Sequence, residues 1–204
     1  MRSPVSKRAS DFVETEVFRR VKGAVEAGET PILVLGPGGF GKTRLLTALS
    51  EDWASSGGTT VFISLRDVGR GEDVYLLIRR ALAEHSPPSR RGEAGLIAGT
   101  GRAGLRATVE FIASASPNLL LLLDGLDEMP DPSPVFELLD LISNSLQAKI
   151  VVASRDTFST SRRSRLFRSV FGLSSFTTEE VSEFIRKSGG PTLDRAEIDL
   201  ITRN

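Results

Sequence analysis

Five consecutive leucines, Leu119 to Leu123, run straight into Asp124, and few folds can accommodate them. An unbroken apolar run of this length suits a strand buried on both faces, the position of an inner strand in a parallel sheet covered by helices on each side. On a sheet with one wet face, every second leucine would lie in water. The run therefore points to helix, sheet and helix in three layers.

The rest of the chain supplies the other elements. Phe12, Val13, Val17, Val21 and Val25 fall near one face of a helix from Asp11 that closes at Gly28. Strands are expected at Pro31–Leu35, Thr59–Leu65, Asn118–Leu123, Lys149–Ala153 and Ser169–Leu173, with helices at about Lys42–Trp53, Asp73–Ala83 and Val135–Asn144. Strands alternating with helices give an α/β sandwich with a mainly parallel, five-stranded sheet. The stretch from Ser86 to Gly104, rich in Pro, Gly and Arg and without periodicity, reads as a surface loop. Residues 1–10 read as a flexible, basic tail, and 11–175 as the core domain. Thr177 and Glu180 form a capping-box pair, with Phe176 and Val181 placed to staple the start of a helix reaching about Lys187.

The sequence GPGGFGKT fits the spacing G-x-x-x-x-G-K-[ST], the P-loop or Walker A pattern, between a strand and a helix. Its glycines let successive backbone N–H groups point inward at a phosphate, and the helix adds the positive end of its dipole. The phosphate-binding segment is Gly36, Pro37, Gly38, Gly39, Phe40, Gly41, Lys42, Thr43 and Arg44. Lys42 is expected on the β- and γ-phosphates, and the Thr43 hydroxyl on Mg2+.

At the end of the leucine strand stands Asp124-Gly125-Leu126-Asp127-Glu128. Asp124 is placed as the Walker B acid that holds Mg2+ through its water shell. Glu128 is the candidate base that orients and deprotonates the attacking water, with Asp127 as helper in metal or water positioning. The plainer alternative is a polar turn closing a core strand. The strand KIVVA delivers Ser154 and Arg155 to the edge where open α/β sheets bind ligands. Arg155 is therefore a candidate sensor of the γ-phosphate, or else a partner of Asp156 or another surface carboxylate.

Composition narrows the chemistry. With no cysteine and a single histidine, His85, neither a disulfide framework nor a zinc site is expected. Formal net charge is zero, which makes a nucleic-acid partner unlikely. The cluster of Arg162, Arg163, Arg165 and Arg168 then reads as a solvated face or a docking surface. No apolar stretch is long enough to cross a bilayer, so the expectation is a soluble, cytoplasmic protein.

GPGGFGKT, LLLLLDGLDE with its paired acids, and IVVASRD together resemble the NACHT branch of the STAND nucleotide-binding switches. FISLRD at 62–67 and GLSSFTTEEVSEFIR at 172–186 extend the likeness over about Asp11 to Lys187. The resemblance implies a five-stranded parallel core whose sensor strand lies between the P-loop and Walker B strands, bringing Arg155 beside Lys42. It implies binding and slow hydrolysis of ATP or, less often, GTP, with nucleotide state controlling self-assembly in signalling or defence, including innate immunity. It further implies that residues 176–204 begin a small helical subdomain and that this chain is a fragment of a larger protein carrying winged-helix and sensor regions. Two alternatives share the motifs: a nucleotide-stabilised scaffold that does not hydrolyse, and an AAA+-like ATPase acting on nucleic acid. A phosphotransferase suits the acids after Asp124 less well than attack by water. Phe12 and Val13 are candidates to flank the base or to fill a helix face.

Overall fold

Thr15 decides where the chain first turns helical. In a computed structural model describing residues 12–70, 73–84, 101–114, 118–145, 148–156, 164–189 and 197–198, its side chain accepts a hydrogen bond from the Phe18 amide and α1 spans Glu16–Glu26. Phe12 and Val13, which apolar spacing alone places inside the helix, precede it, because a threonine bonded to the third amide requires extended backbone at the cap. There follow β1 (Ile32–Leu35), α2 (Lys42–Ser55), β2 (Thr59–Ser64), a 3-10 segment (Leu65–Arg70), α3 (Val74–Glu84) and α4 (Gly101–Ser114). The chain continues through β3 (Leu119–Asp124), a 3-10 turn (Leu126–Glu128), α5 (Ser133–Ser145), β4 (Lys149–Ser154), a second 3-10 turn (Ser164–Leu166), β5 (Ser169–Gly172) and α6 (Thr178–Lys187).

The five strands form one parallel sheet in the order β2-β3-β4-β1-β5, so the strand ending at Ser154 lies between the strand that feeds the glycine loop and the leucine strand. Alternation along each strand divides the core. Leu119, Leu121 and Leu123 pack with Leu33, Ile150 and Val152 under α3, α4 and α5. Leu120 and Leu122 pack with Ile32, Val34 and Val151 under α1 and α2. All five leucines are fully buried, each such burial contributing about 1.5–3 kcal/mol.

Helix α4 corrects the expected loop at its C-terminal end: residues 101–104 are helical, and the remainder of that stretch lies outside the described residues. Glycine at 101 and 104 lowers intrinsic propensity, but Leu105, Phe111 and Ile112 are buried in the core cluster that also holds α3. Arg79 of α3, itself buried, donates to the Gly104 carbonyl at 2.9 Å and the Thr108 hydroxyl at 3.1 Å, fastening the two helices. Long-range packing thus overrides a locally unhelical sequence.

At α6 the capping box is present in both directions. Val181 is buried, whereas Phe176 is 49% exposed. The expected tail at 1–10, Arg162, Arg163 and the chain beyond 198 lie outside the described residues. No helix among the described residues is long and apolar enough to cross a membrane.

Candidate functional site

Parity along β3 determines where Asp124 points. It shares a face with Leu120 and Leu122, the face covered by α2, and α2 begins at Lys42. Asp124 Oδ2 accepts a hydrogen bond of 2.6 Å from the Thr43 hydroxyl, joining two motifs 81 residues apart in sequence.

The glycine loop reaches α2 through Gly41, the cap residue, whose φ of 84° is in the left-handed region. A side chain there would be strained, and this turn leaves the first amides of α2 without helical partners at the loop's concave side. Lys42 folds back over the loop, its ammonium donating to the carbonyls of Gly36 at 2.7 Å and Pro37 at 2.8 Å. Phe40 stands on the outer side, exposed.

Gly125, again with φ of 84°, turns the chain from β3 into the short helical turn that carries both following acids. Asp127 and Glu128 then diverge. Asp127 Oδ1 accepts from the Arg155 amide at 2.9 Å and the Ser154 hydroxyl at 3.4 Å, while its other oxygen lies 3.1 Å from Arg155 Nε. Of the two options for Arg155, the contact present is thus with a carboxylate, and it is Asp127. Glu128 is gripped through both oxygens by the guanidinium of Arg66, with Arg66 Nη2 donating to Glu128 Oε1 at 2.8 Å and Nε to Oε2. Those hydrogen bonds, chiefly, hold the Glu128 carboxyl below its ordinary value, and the charges of Arg66, Arg155 and Lys42 add to the effect against some burial.

Arg66 is absent from the site that motif reasoning assembles. A usable signal does exist: Ser64, two residues earlier, is the register partner of Asp124. The carboxyl ends of two adjacent parallel strands open on the same crevice, so a long side chain just past β2 reaches the acids just past β3.

These groups line one cavity of about 330 Å³, at the lower end of the range of small-molecule sites. Its walls are Gly38, Gly39, Gly41, Lys42 and Thr43 on one side, and Asp124, Asp127 and Glu128 on the other, with Arg44, Arg66 and Arg155 around them. Gly36, Pro37 and Phe40 belong to the loop but not to this wall. Phe12, considered for the base, contacts Phe18 edge-on with centroids 4.9 Å apart, and Val13 is buried.

Solved structures share this fold. AMPPCP-bound DnaA from Aquifex aeolicus superposes with a TM-score of 0.58 at 20% identity, over 96% of this chain and 59% of that one. A chain of the E. coli MS115-1 HORMA:CdnC:Trip13 complex gives 0.61 at 14% identity, over 97% and 75%. The Aeropyrum pernix ORC1 protein in complex with DNA gives 0.58 at 18%, over 95% and 52%. The chain thus spans about three fifths of the length of the DnaA structure. No curated protein matches by sequence. The NACHT domain profile matches residues 30–189, from the residue before β1's leading proline to just past α6. The chain belongs to the NACHT family of nucleotide-binding P-loop NTPases.

Proposed function

We propose that this domain is a nucleotide-operated switch: it binds a nucleoside triphosphate with Mg2+, hydrolyses it slowly, and uses the terminal phosphate to hold one conformation. The observation that carries this reading is the 2.6 Å contact between the Thr43 hydroxyl and the Asp124 carboxylate at the edge of the glycine loop. Two hard oxygens suit Mg2+, which keeps most of its shell as water and substrate phosphate and takes only one or two ligands from protein. Bound between Thr43 and Asp124, the ion would neutralise charge on the phosphates.

The chain's own groups supply the remaining steps. Amides at the start of α2 receive phosphate oxygens, and the Lys42 ammonium exchanges the Gly36 and Pro37 carbonyls for the β- and γ-phosphates. Glu128 accepts the proton of the attacking water. Arg155, anchored on Asp127, faces the same cavity and contacts the terminal phosphate. Loss of that phosphate removes contacts present in only one state, which is what a switch requires. A switch of this kind suits control of self-assembly in signalling or defence.

AMPPCP in the structurally similar DnaA makes ATP the first ligand to test. Calorimetry with ATP, GTP and their diphosphates, with and without Mg2+, checks the reading. Lys42→Ala is expected to abolish measurable triphosphate binding, and a variant that binds as well as the parent overturns the phosphate assignment. A scaffold without hydrolysis would release no phosphate in a single turnover. The ORC1–DNA complex motivates one further arm: turnover stimulated by DNA would favour an ATPase acting on nucleic acid.

A further inference from the structure

Arg66 sits at the carboxyl end of β2, on the wall of the cavity, and grips a carboxylate that the proposed hydrolysis needs to be available to water. We propose that Arg66 is a terminal-phosphate sensor that changes partners: it holds Glu128 while the site is empty or carries a diphosphate, and moves to the terminal phosphate when a triphosphate enters, releasing Glu128. This inference rests on the cavity being a nucleoside-triphosphate site.

Three observations support the exchange. The guanidinium contacts Glu128 by side chain alone and is 69% exposed, against 23% for Glu128, so the grip is made from the solvent side and is weak enough to be displaced. Its planar fork matches phosphate as well as it matches carboxylate, and a polyphosphate presents more negative charge than one glutamate. Finally, the cavity brings an entering polyphosphate close to Glu128, and two anions at close range repel unless a cation lies between them. Arg66 is already attached to one of the two.

Arg155 is a poorer candidate for this exchange. Its carboxylate partner is 12% exposed and is held by the Arg155 main chain as well, so Asp127 remains fixed whichever way the guanidinium turns. Arg66 has no such tether to Glu128, and its movement changes what Glu128 can accept.

The exchange makes a thermodynamic statement. Part of the triphosphate affinity is spent detaching Arg66 from Glu128, so an arginine without that partner binds the terminal phosphate more readily. The test measures AMPPCP and ADP affinity by calorimetry on the whole chain, in Mg2+, for the parent, Arg66→Gln, Glu128→Gln and the double variant. Arg66→Gln is expected to weaken AMPPCP binding roughly 10- to 100-fold while ADP binding stays within about twofold. Glu128→Gln is expected to tighten AMPPCP about two- to fivefold, and that gain should vanish when Arg66 is also replaced. An unchanged AMPPCP to ADP ratio in Arg66→Gln overturns the proposal. So does a gain from Glu128→Gln that persists without Arg66, since it would come from removing a negative charge and not from freeing the arginine. Arg66→Lys, which keeps the charge but loses the fork, is expected to fall between parent and Arg66→Gln, and it serves if the glutamine variant does not fold. If the parent binds neither nucleotide, the site reading itself fails; if it binds both and only the Arg66 results disagree, the sensor alone fails.

Discussion

Asp127 and Glu128 are adjacent in sequence, ride on the same short turn and each meet an arginine, yet the two are held in opposite ways. Asp127 is 12% exposed and bonded to the Arg155 amide and the Ser154 hydroxyl, so it stitches the loop after β3 to the end of β4. Glu128 meets one exposed side chain that comes from beyond β2. A carboxylate tied to main chain stays held when the guanidinium beside it turns away. A carboxylate tied to a solvent-facing guanidinium can be released without disturbing the sheet. Under the proposed function, this contrast suits Asp127 to holding the loop in place and Glu128 to the reaction.

The largest effect that can break this contrast is on hydrolysis. Glu128→Gln is expected to lower single-turnover phosphate release about 10²- to 10⁴-fold while nucleotide binding persists. If Asp127→Ala instead matches that loss with its fold intact, the roles are reversed. Second in size is stability: Asp127→Ala leaves the buried Ser154 hydroxyl and the Arg155 amide without their acceptor, which costs about 1–3 kcal/mol in urea unfolding. Glu128→Gln is expected to cost less at neutral pH, at most about 1 kcal/mol, and a drop equal to that of Asp127→Ala would erase the distinction.

The smallest effect sharpens the comparison through pH. Hydrogen bonds from Arg66 hold the Glu128 pKa below its ordinary 4.5, so this carboxylate stabilises the folded state above that value, and the contribution is lost as pH falls through the lower folded pKa. The stability difference between parent and Glu128→Gln, at most about 1 kcal/mol for so exposed a pair, should therefore shrink as urea unfolding is repeated at successively lower pH below 4.5. A difference that grows on acidification would contradict the pairing.

Much of the architecture was legible from local pattern. The leucine run requires burial on both faces, and the structure gives it an inner strand; the capping box at Thr177 and Glu180 forms as spaced. Helix α4 was illegible because its first turn contains two glycines and its stability comes from Arg79 and from apolar contacts across α3. Apolar spacing starts α1 too early, because Phe12 and Val13 have a helical spacing that the Thr15 cap excludes. At the site, GPGGFGKT and DGLDE name the candidate residues through fixed spacing. Arg66 belongs to no spacing pattern with either motif and enters the cavity only through strand order.

What the sequence determined by itself was a set of local necessities: a strand apolar on both sides, a glycine loop able to turn left-handed into a helix beginning with lysine, and acids at a strand's end. Such features depend on neighbours a few residues away, so the chain states them directly. Tertiary structure alone decided which arginine each acid would meet. That choice depends on parallel register between β2, β3 and β4, where Ser64 lies opposite Asp124 and Asp124 opposite Ala153. Register is set by the burial of whole strands, and it carries side chains more than sixty residues apart into one cavity.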